Sequence, residues 1–136
     1  MCIRDSSYGG YLSALAMLRY PDVFHVAVAG APVTDWRNYD TIYTERYMRL
    51  PAENEEGYDL GSCVKLASQL KGKLLLVHGL IDDNVHPSNT WQLVNAFHQS
   101  DKRFDLMIYP RFAHGIGSTY GALRWEYFVR HLKPEL

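Results

Sequence analysis

The sequence predicts an α/β fold: a parallel sheet of about three strands flanked by helices. Three observations predict it. Residues 74–77 (Leu-Leu-Leu-Val) form a continuous apolar run, as expected of a strand covered on both faces. Residues 23–29 and 104–109 read as two further short strands. Helical patterns separate all three, and strands alternating with helices pair in parallel through crossovers.

Taken in order, residues 12–18 are apolar almost all round, which predicts a buried helix, and Arg19-Tyr20-Pro21-Asp22 stops it. The strand at 23–29 ends at Gly30-Ala31-Pro32. Tyr39, Tyr43 and Tyr47 are spaced so that one helical face would present them together. Residues 50–61 carry Glu53, Glu55, Glu56 and Asp59 and read as a solvated acidic loop, and 62–70 as a short helix with Gly72 just beyond. After the strand at 74–77 comes a polar loop, His78-Gly79-Leu80-Ile81-Asp82-Asp83-Asn84. Pro87-Ser88 opens a helix with Trp91, Val94 and Phe97 inward. The strand at 104–109 leads into a loop holding His114. The last helix, 118–132, would bury Trp125, Phe128, Val129 and Leu132.

Composition excludes several classes. With 136 residues, 47% hydrophobic and 21% charged, the chain is one ordinary globular domain. A net charge of −1 without a basic run argues against nucleic-acid binding. No window of ~18 apolar residues could span a membrane as a helix. Two cysteines, Cys2 and Cys63, are too few for a disulfide scaffold and do not fix a compartment. Residues 1–6 are expected to be a non-native junction fused to an internal fragment at residues 7–136, because the apolar pattern begins abruptly after Ser7 and no strand precedes it. No signal peptide is visible.

In an open α/β sheet, functional groups gather at the carboxyl ends of strands. Ser7, Asp82 and His114 occupy such loops in the order serine, acid, histidine, which is the order used by α/β-hydrolases. His86, His98 and His131 lie at or within helices. A serine hydroxyl needs an imidazole to take its proton, and a carboxylate to hold that imidazole. Gly9 and Gly10 permit a tight turn that aims the Tyr8 N–H at a developing oxyanion. One departure stands out. The elbow pattern Gly-x-Ser-x-Gly has Asp5 in its first position, and Ser6 competes by position with Ser7, although only Ser7 has glycine two residues on. Taken singly, each element is an ordinary turn or cap; the ordered triple gives them meaning.

The chain resembles the prolyl oligopeptidase family of serine peptidases, in its dipeptidyl peptidase IV-like branch. The resemblance rests on Ser7-Tyr8-Gly9-Gly10-Tyr11, on residues 31–36 (Ala-Pro-Val-Thr-Asp-Trp), on residues 39–48 (Tyr-Asp-Thr-Ile-Tyr-Thr-Glu-Arg-Tyr-Met), on residues 78–86 and on Ala113-His114-Gly115-Ile116. It implies a catalytic Asp82 rather than Asp83, and a pocket for a proline or alanine side chain formed by Val33, Trp36, Tyr39, Tyr43 and Val85. It also implies Asn84 as a donor to the substrate carbonyl; Tyr47 is read as packed core instead. An aromatic box suits a pyrrolidine ring, which has apolar area and no N–H. The expected reaction is release of N-terminal dipeptides after Pro or Ala through an acyl-enzyme, on a peptide substrate, without cofactor, metal or nucleic acid. The parent protein can be a homodimer; its localisation is open. The family's propeller domain, half of its hydrolase sheet and an upstream tyrosine of the oxyanion hole have no counterpart here, so the isolated chain is expected to be nearly inactive and poorly stable. Three rivals compete: another α/β-hydrolase such as an acylaminoacyl peptidase or esterase, a metal hydrolase built on His78, Asp82, Asp83 and His86, and a degenerate binding homologue.

Overall fold

The computed structural model describes residues 1–132. Four strands, β1 (Cys2–Ser6), β2 (Val26–Gly30), β3 (Lys73–Gly79) and β4 (Asp105–Tyr109), form one sheet in the order β1-β2-β3-β4. Every neighbouring pair is parallel. The helices are α1 (Tyr8–Arg19), α2 (Thr41–Met48), α3 (Glu55–Leu60), α4 (Ser88–Gln99) and α5 (Thr119–Leu132).

The apolar runs explain the two layers. Side chains alternate across a strand, so Ala27, Ala29, Leu74 and Leu76 face one side, where they pack with Ala14, Met17 and Leu18 of α1 and Leu93 and Phe97 of α4. Val26, Val28, Leu75 and Val77 face the other, against Tyr120, Tyr127 and Phe128 of α5. The two central strands are therefore buried on both faces, as their continuous hydrophobicity requires. Each such Leu or Val contributes about 1.5–3 kcal/mol through burial.

Several expectations are corrected. A strand does precede Ser7: Cys2 to Ser6 pair with Val26 to Gly30, residue for residue, and Ser7 N–H donates to Gly30 O at 2.9 Å. Cys-Ile-Arg-Asp-Ser carries no strand periodicity, and pairing with β2 rather than local propensity makes it extended. Residues 50–61 are not a loop throughout. They hold a 3₁₀ turn (Pro51–Glu53) and α3, which Asn54 caps by accepting from Gly57 N–H, with Glu55 and Glu56 at the favourable end of the helix dipole. The helix expected at 62–70 reduces to a 3₁₀ turn, Ala67–Gln69.

Two helix faces also differ. Trp91 of α4 is 40% exposed while Phe97 is buried. In α5, Trp125 is 63% exposed and Val129 60%; the inner stripe is Tyr120, Tyr127 and Phe128 instead. Those three recur at i, i+7 and i+8, which also satisfies a helical period. Trp125 stands near the Arg4 guanidinium, 5.9 Å from its ring centroid, on the strand that the sequence reading omitted.

Candidate active site

The carboxyl ends of β1, β3 and β4 bring Ser7, Asp82 and His114 to one end of the sheet. Ser7 sits between β1 and α1 with φ 58° and ψ −125°. Such a positive φ is costly for a residue with a Cβ and persists only where the surroundings impose it. Here the Ser7 N–H bond to Gly30 O and the Tyr11 N–H bond to Ser7 O, both 2.9 Å, pin the turn from either side. The Ser7 hydroxyl makes no capping bond to α1, so it is not consumed by the helix it begins.

Asp5, the departure from the elbow pattern, is accommodated locally. Its Oδ1 accepts from Ser6 N–H at 2.8 Å, and its side chain fills the space in which any Cβ on residue 9 would collide. Gly9 is thus required by a close approach of strand and helix.

Asp82 is 2% exposed and lies in the turn after β3. Its Oδ1 accepts from the N–H groups of Asn84 and Val85, each at 3.0 Å. Its Oδ2 is 2.9 Å from His114 Nδ1. A carboxylate only accepts, so His114 Nδ1 carries the proton and Nε2 is left with its lone pair. The His114 side chain is 27% exposed, which leaves it reachable from solvent. The loops bearing the pair are locked together by Leu80 N–H to Tyr109 O at 3.0 Å and Ile81 N–H to Phe112 O at 3.2 Å. At Gly79 any side chain would run into the carbonyls of Phe112 and Ala113. Among the described residues no hydrogen bond joins the Ser7 hydroxyl to His114. Such contacts are often long without substrate and tighten when it binds.

Beside Ser7 is a cavity of about 130 Å³ lined by Ser7, Tyr8, Val33, Trp36, Tyr39 and Tyr43. Trp36 stacks on Tyr43 (6.0 Å, 27°) and meets Tyr39 edge-on (5.9 Å, 84°). The two tyrosines do not share a helical face as the spacing suggested. Tyr39 precedes α2, whose N-cap is Asp40, accepting from Tyr43 N–H at 2.8 Å. Tyr39 O–H donates to Asn84 Oδ1 at 2.8 Å. Burial, then nearby Asp40, raise the Tyr39 hydroxyl pKa, so it remains a donor at neutral pH.

Two candidates fall elsewhere. Val85 is wholly buried in the core and does not line the cavity; its backbone serves Asp82 and His78 instead. Tyr47, expected in the core, is 69% exposed and extends the aromatic surface from Tyr43, 5.1 Å away. The Tyr8 ring, read from the sequence only as the bearer of an N–H, forms a wall of the cavity. Its alternation with glycines gave no hint of this. Burial pushes the Cys63 thiol up to about 12, which removes it as a nucleophile at neutral pH. Of the metal-hydrolase set, His78 Nε2 already faces the Val85 carbonyl at 2.8 Å, and the His86 ring faces Ser88 at 3.0 Å.

Comparison with known proteins identifies the family. The prolyl oligopeptidase family profile matches residues 1–134. The chain is 45% identical to dipeptidyl peptidase 8 of Homo sapiens over 98% of its own length and 15% of that protein's. It is 43% identical to dipeptidyl-aminopeptidase B of Aspergillus niger over 85% of this chain and 13% of that one. The solved structure of Porphyromonas gingivalis dipeptidyl peptidase 4 superposes with a TM-score of 0.86 at 40% identity, covering 99% of this chain and 19% of that chain. A putative dipeptidyl aminopeptidase IV from Bacteroides ovatus gives 0.87 at 38%, with 98% and 19% covered. The chain spans less than a fifth of the relatives it matches. It belongs to the prolyl oligopeptidase family.

Proposed function

We propose that this chain carries the catalytic triad and side-chain pocket of a serine-type peptidase that releases N-terminal dipeptides after Pro or Ala. The observation that carries this reading is the 2.9 Å bond from His114 Nδ1 to buried Asp82, formed at the same sheet end as the strained Ser7 turn and its aromatic cavity.

Each residue has a defined task. The Val33–Trp36–Tyr39–Tyr43 box takes the apolar ring or methyl of the residue before the scissile bond. Asn84, its Oδ1 engaged by Tyr39, offers Nδ2 to a substrate carbonyl. Ser7 Oγ attacks the scissile carbonyl while His114 Nε2 takes its proton, and Asp82 stabilises the resulting imidazolium. The Tyr8 N–H, in the first turn of α1 where helix N–H groups lack internal acceptors, stabilises the oxyanion. The intermediate collapses when His114 returns that proton to the leaving amine, which leaves an acyl-Ser7 ester. Water, deprotonated by His114, then attacks the ester; His114 returns that proton to Ser7 Oγ as the acyl bond breaks, which releases the dipeptide and restores the serine. The names of the relatives, dipeptidyl peptidases and aminopeptidases, support a dipeptide product.

The test uses the full-length protein carrying this sequence. A serine-reactive phosphonate is expected to label Ser7 and abolish cleavage of a Pro-containing dipeptidyl amide. Ser7→Ala is expected to lose both labelling and turnover. Labelling at Ser6, or undiminished turnover in Ser7→Ala, would overturn the assignment.

A further inference from the structure

His78 is the last polar side chain of β3, 0% exposed, and the acid–base pair alone gives it no task. Its surroundings are specific. Nε2 lies 2.8 Å from Val85 O, and a carbonyl only accepts, so Nε2 carries the proton. Nδ1 lies 2.7 Å from Thr90 Oγ1 on α4, itself wholly buried, so Nδ1 accepts the hydroxyl hydrogen. Asp82 Oδ2 lies 3.3 Å from the same Nε2, beside the N–H rather than in line with it. That oxygen is the one bonded to His114 Nδ1.

We propose that His78 is a positioning residue for catalysis: Val85 O sets its Nε2–H tautomer, the Thr90 hydroxyl anchors the ring through Nδ1, and His78 then holds the Asp82 turn, through Val85 O, with its N–H edge against the Asp82 oxygen that orients His114. This rests on the serine-peptidase reading above. With His78 in place the carboxylate accepts three hydrogen bonds, two from backbone N–H groups on Oδ1 and one from His114 on Oδ2, and has the His78 N–H edge 3.3 Å from Oδ2. Rotation of the carboxylate would break several of them at once. No water can substitute, because His78 and the Asp82 side chain are fully enclosed. Asp82 and His114 are the titratable groups that face His78. Burial, the largest influence on the ring, disfavours its charged form and keeps it a single-proton donor.

Thr90→Val tests the device without touching Ser7, Asp82 or His114. Without the hydroxyl, Nδ1 loses its anchor, and the His78 N–H edge is held less firmly against Asp82 Oδ2. A carboxylate with less of that N–H dipole beside it attracts protons more strongly and favours the His114 imidazolium. The expected result in the full-length protein is a kcat lowered about 3- to 10-fold, the loss of roughly one hydrogen bond, with KM unchanged. The acid limb of kcat/KM should move to higher pH. Thr90→Ser, which keeps the hydroxyl, should restore both readings. If Thr90→Val does not fold, because its extra methyl meets the ring, Thr90→Ala removes the same hydroxyl and should give the same two shifts. A variant lacking the hydroxyl with wild-type kcat and acid limb would overturn the proposal. So would equal losses in Thr90→Ser and Thr90→Val with an unmoved acid limb, which would reduce the site to packing. The peptidase reading fails separately, by undiminished turnover in Ser7→Ala.

Discussion

Asp82 decides the proton inventory of the site at the scale of one residue. Its Oδ2 can only accept, so it sets His114 to the tautomer with a free Nε2. In Asp82→Asn the amide can donate to Nδ1, which favours the tautomer with hydrogen on Nε2. That imidazole cannot take a proton from Ser7. The full-length variant is expected to lose of order 10⁴ in kcat, with little change in melting temperature, as read by steady-state kinetics and differential scanning calorimetry. Tyr43 makes a different kind of contribution. It is stacked on Trp36, partly exposed, and touches the cavity rather than the acid–base pair. Tyr43→Ala should therefore cost about 1–3 kcal/mol in kcat/KM on a Pro-containing amide. A small ester that leaves the cavity empty should lose much less. Equal losses on both substrates would assign Tyr43 to packing.

Elements carry these residues, and the elements were unequally legible. β3 was readable because a four-residue apolar run has no other stable home than a doubly covered strand. The gathering of Ser7, Asp82 and His114 at one end of the sheet was readable because parallel topology sends every strand end to one side. β1 was not, since Cys2–Ser6 owes its conformation to Val26–Gly30 and carries no pattern of its own. Tyr39 misled for a related reason. Its four-residue spacing from Tyr43 is helical, yet the Asp40 cap starts α2 after it. The His78–Thr90 link between β3 and α4 gave no sequence signal, since twelve residues and a turn separate the partners. That link has a measurable consequence. The folded ring resists protonation, so its pKa lies below the ordinary 6.5 of the unfolded chain. As pH falls through about 6.5, the unfolded state binds a proton that the folded state does not, and stability falls. Above that pH both states are neutral at this ring and its contribution is complete. The urea midpoint is expected to drop between pH 7.5 and pH 5, and His78→Gln should flatten that slope. An identical slope in the variant would place the pH sensitivity elsewhere.

The whole molecule is a sheet with two different edges and one incompletely covered end. β2 and β3 are enclosed, but β1 and β4 are mostly exposed, and among the described residues neither has a second partner strand. An edge strand offers unpaired N–H and C=O groups to any other chain. The aromatic run Tyr8–Trp36–Tyr43–Tyr47, with successive centroids 5.7, 6.0 and 5.1 Å apart, adds a partly exposed apolar surface at the substrate end. It borders a cavity of about 420 Å³ that Thr44 helps to line; the buried hydroxyl of Thr44 has no hydrogen-bond partner among the described residues. Pairing of β1 with β2 means that β2 itself is not the exposed edge. The sheet should therefore form, and weakness should concentrate at β1 and around the Ser7 turn that depends on it. Expressed alone, residues 1–136 are expected to unfold with low cooperativity and to self-associate as concentration rises. Their Pro-specific amidase turnover should be far below that of the full-length protein. Sedimentation velocity over a concentration series, thermal unfolding followed by circular dichroism, and turnover per labelled Ser7 separate these expectations. A monomer with one sharp transition but low turnover would locate the deficit in the substrate site rather than at the β1 edge. A monomer with full turnover would mean that β1–β4 and their helices already contain everything that holds Ser7 in register with His114.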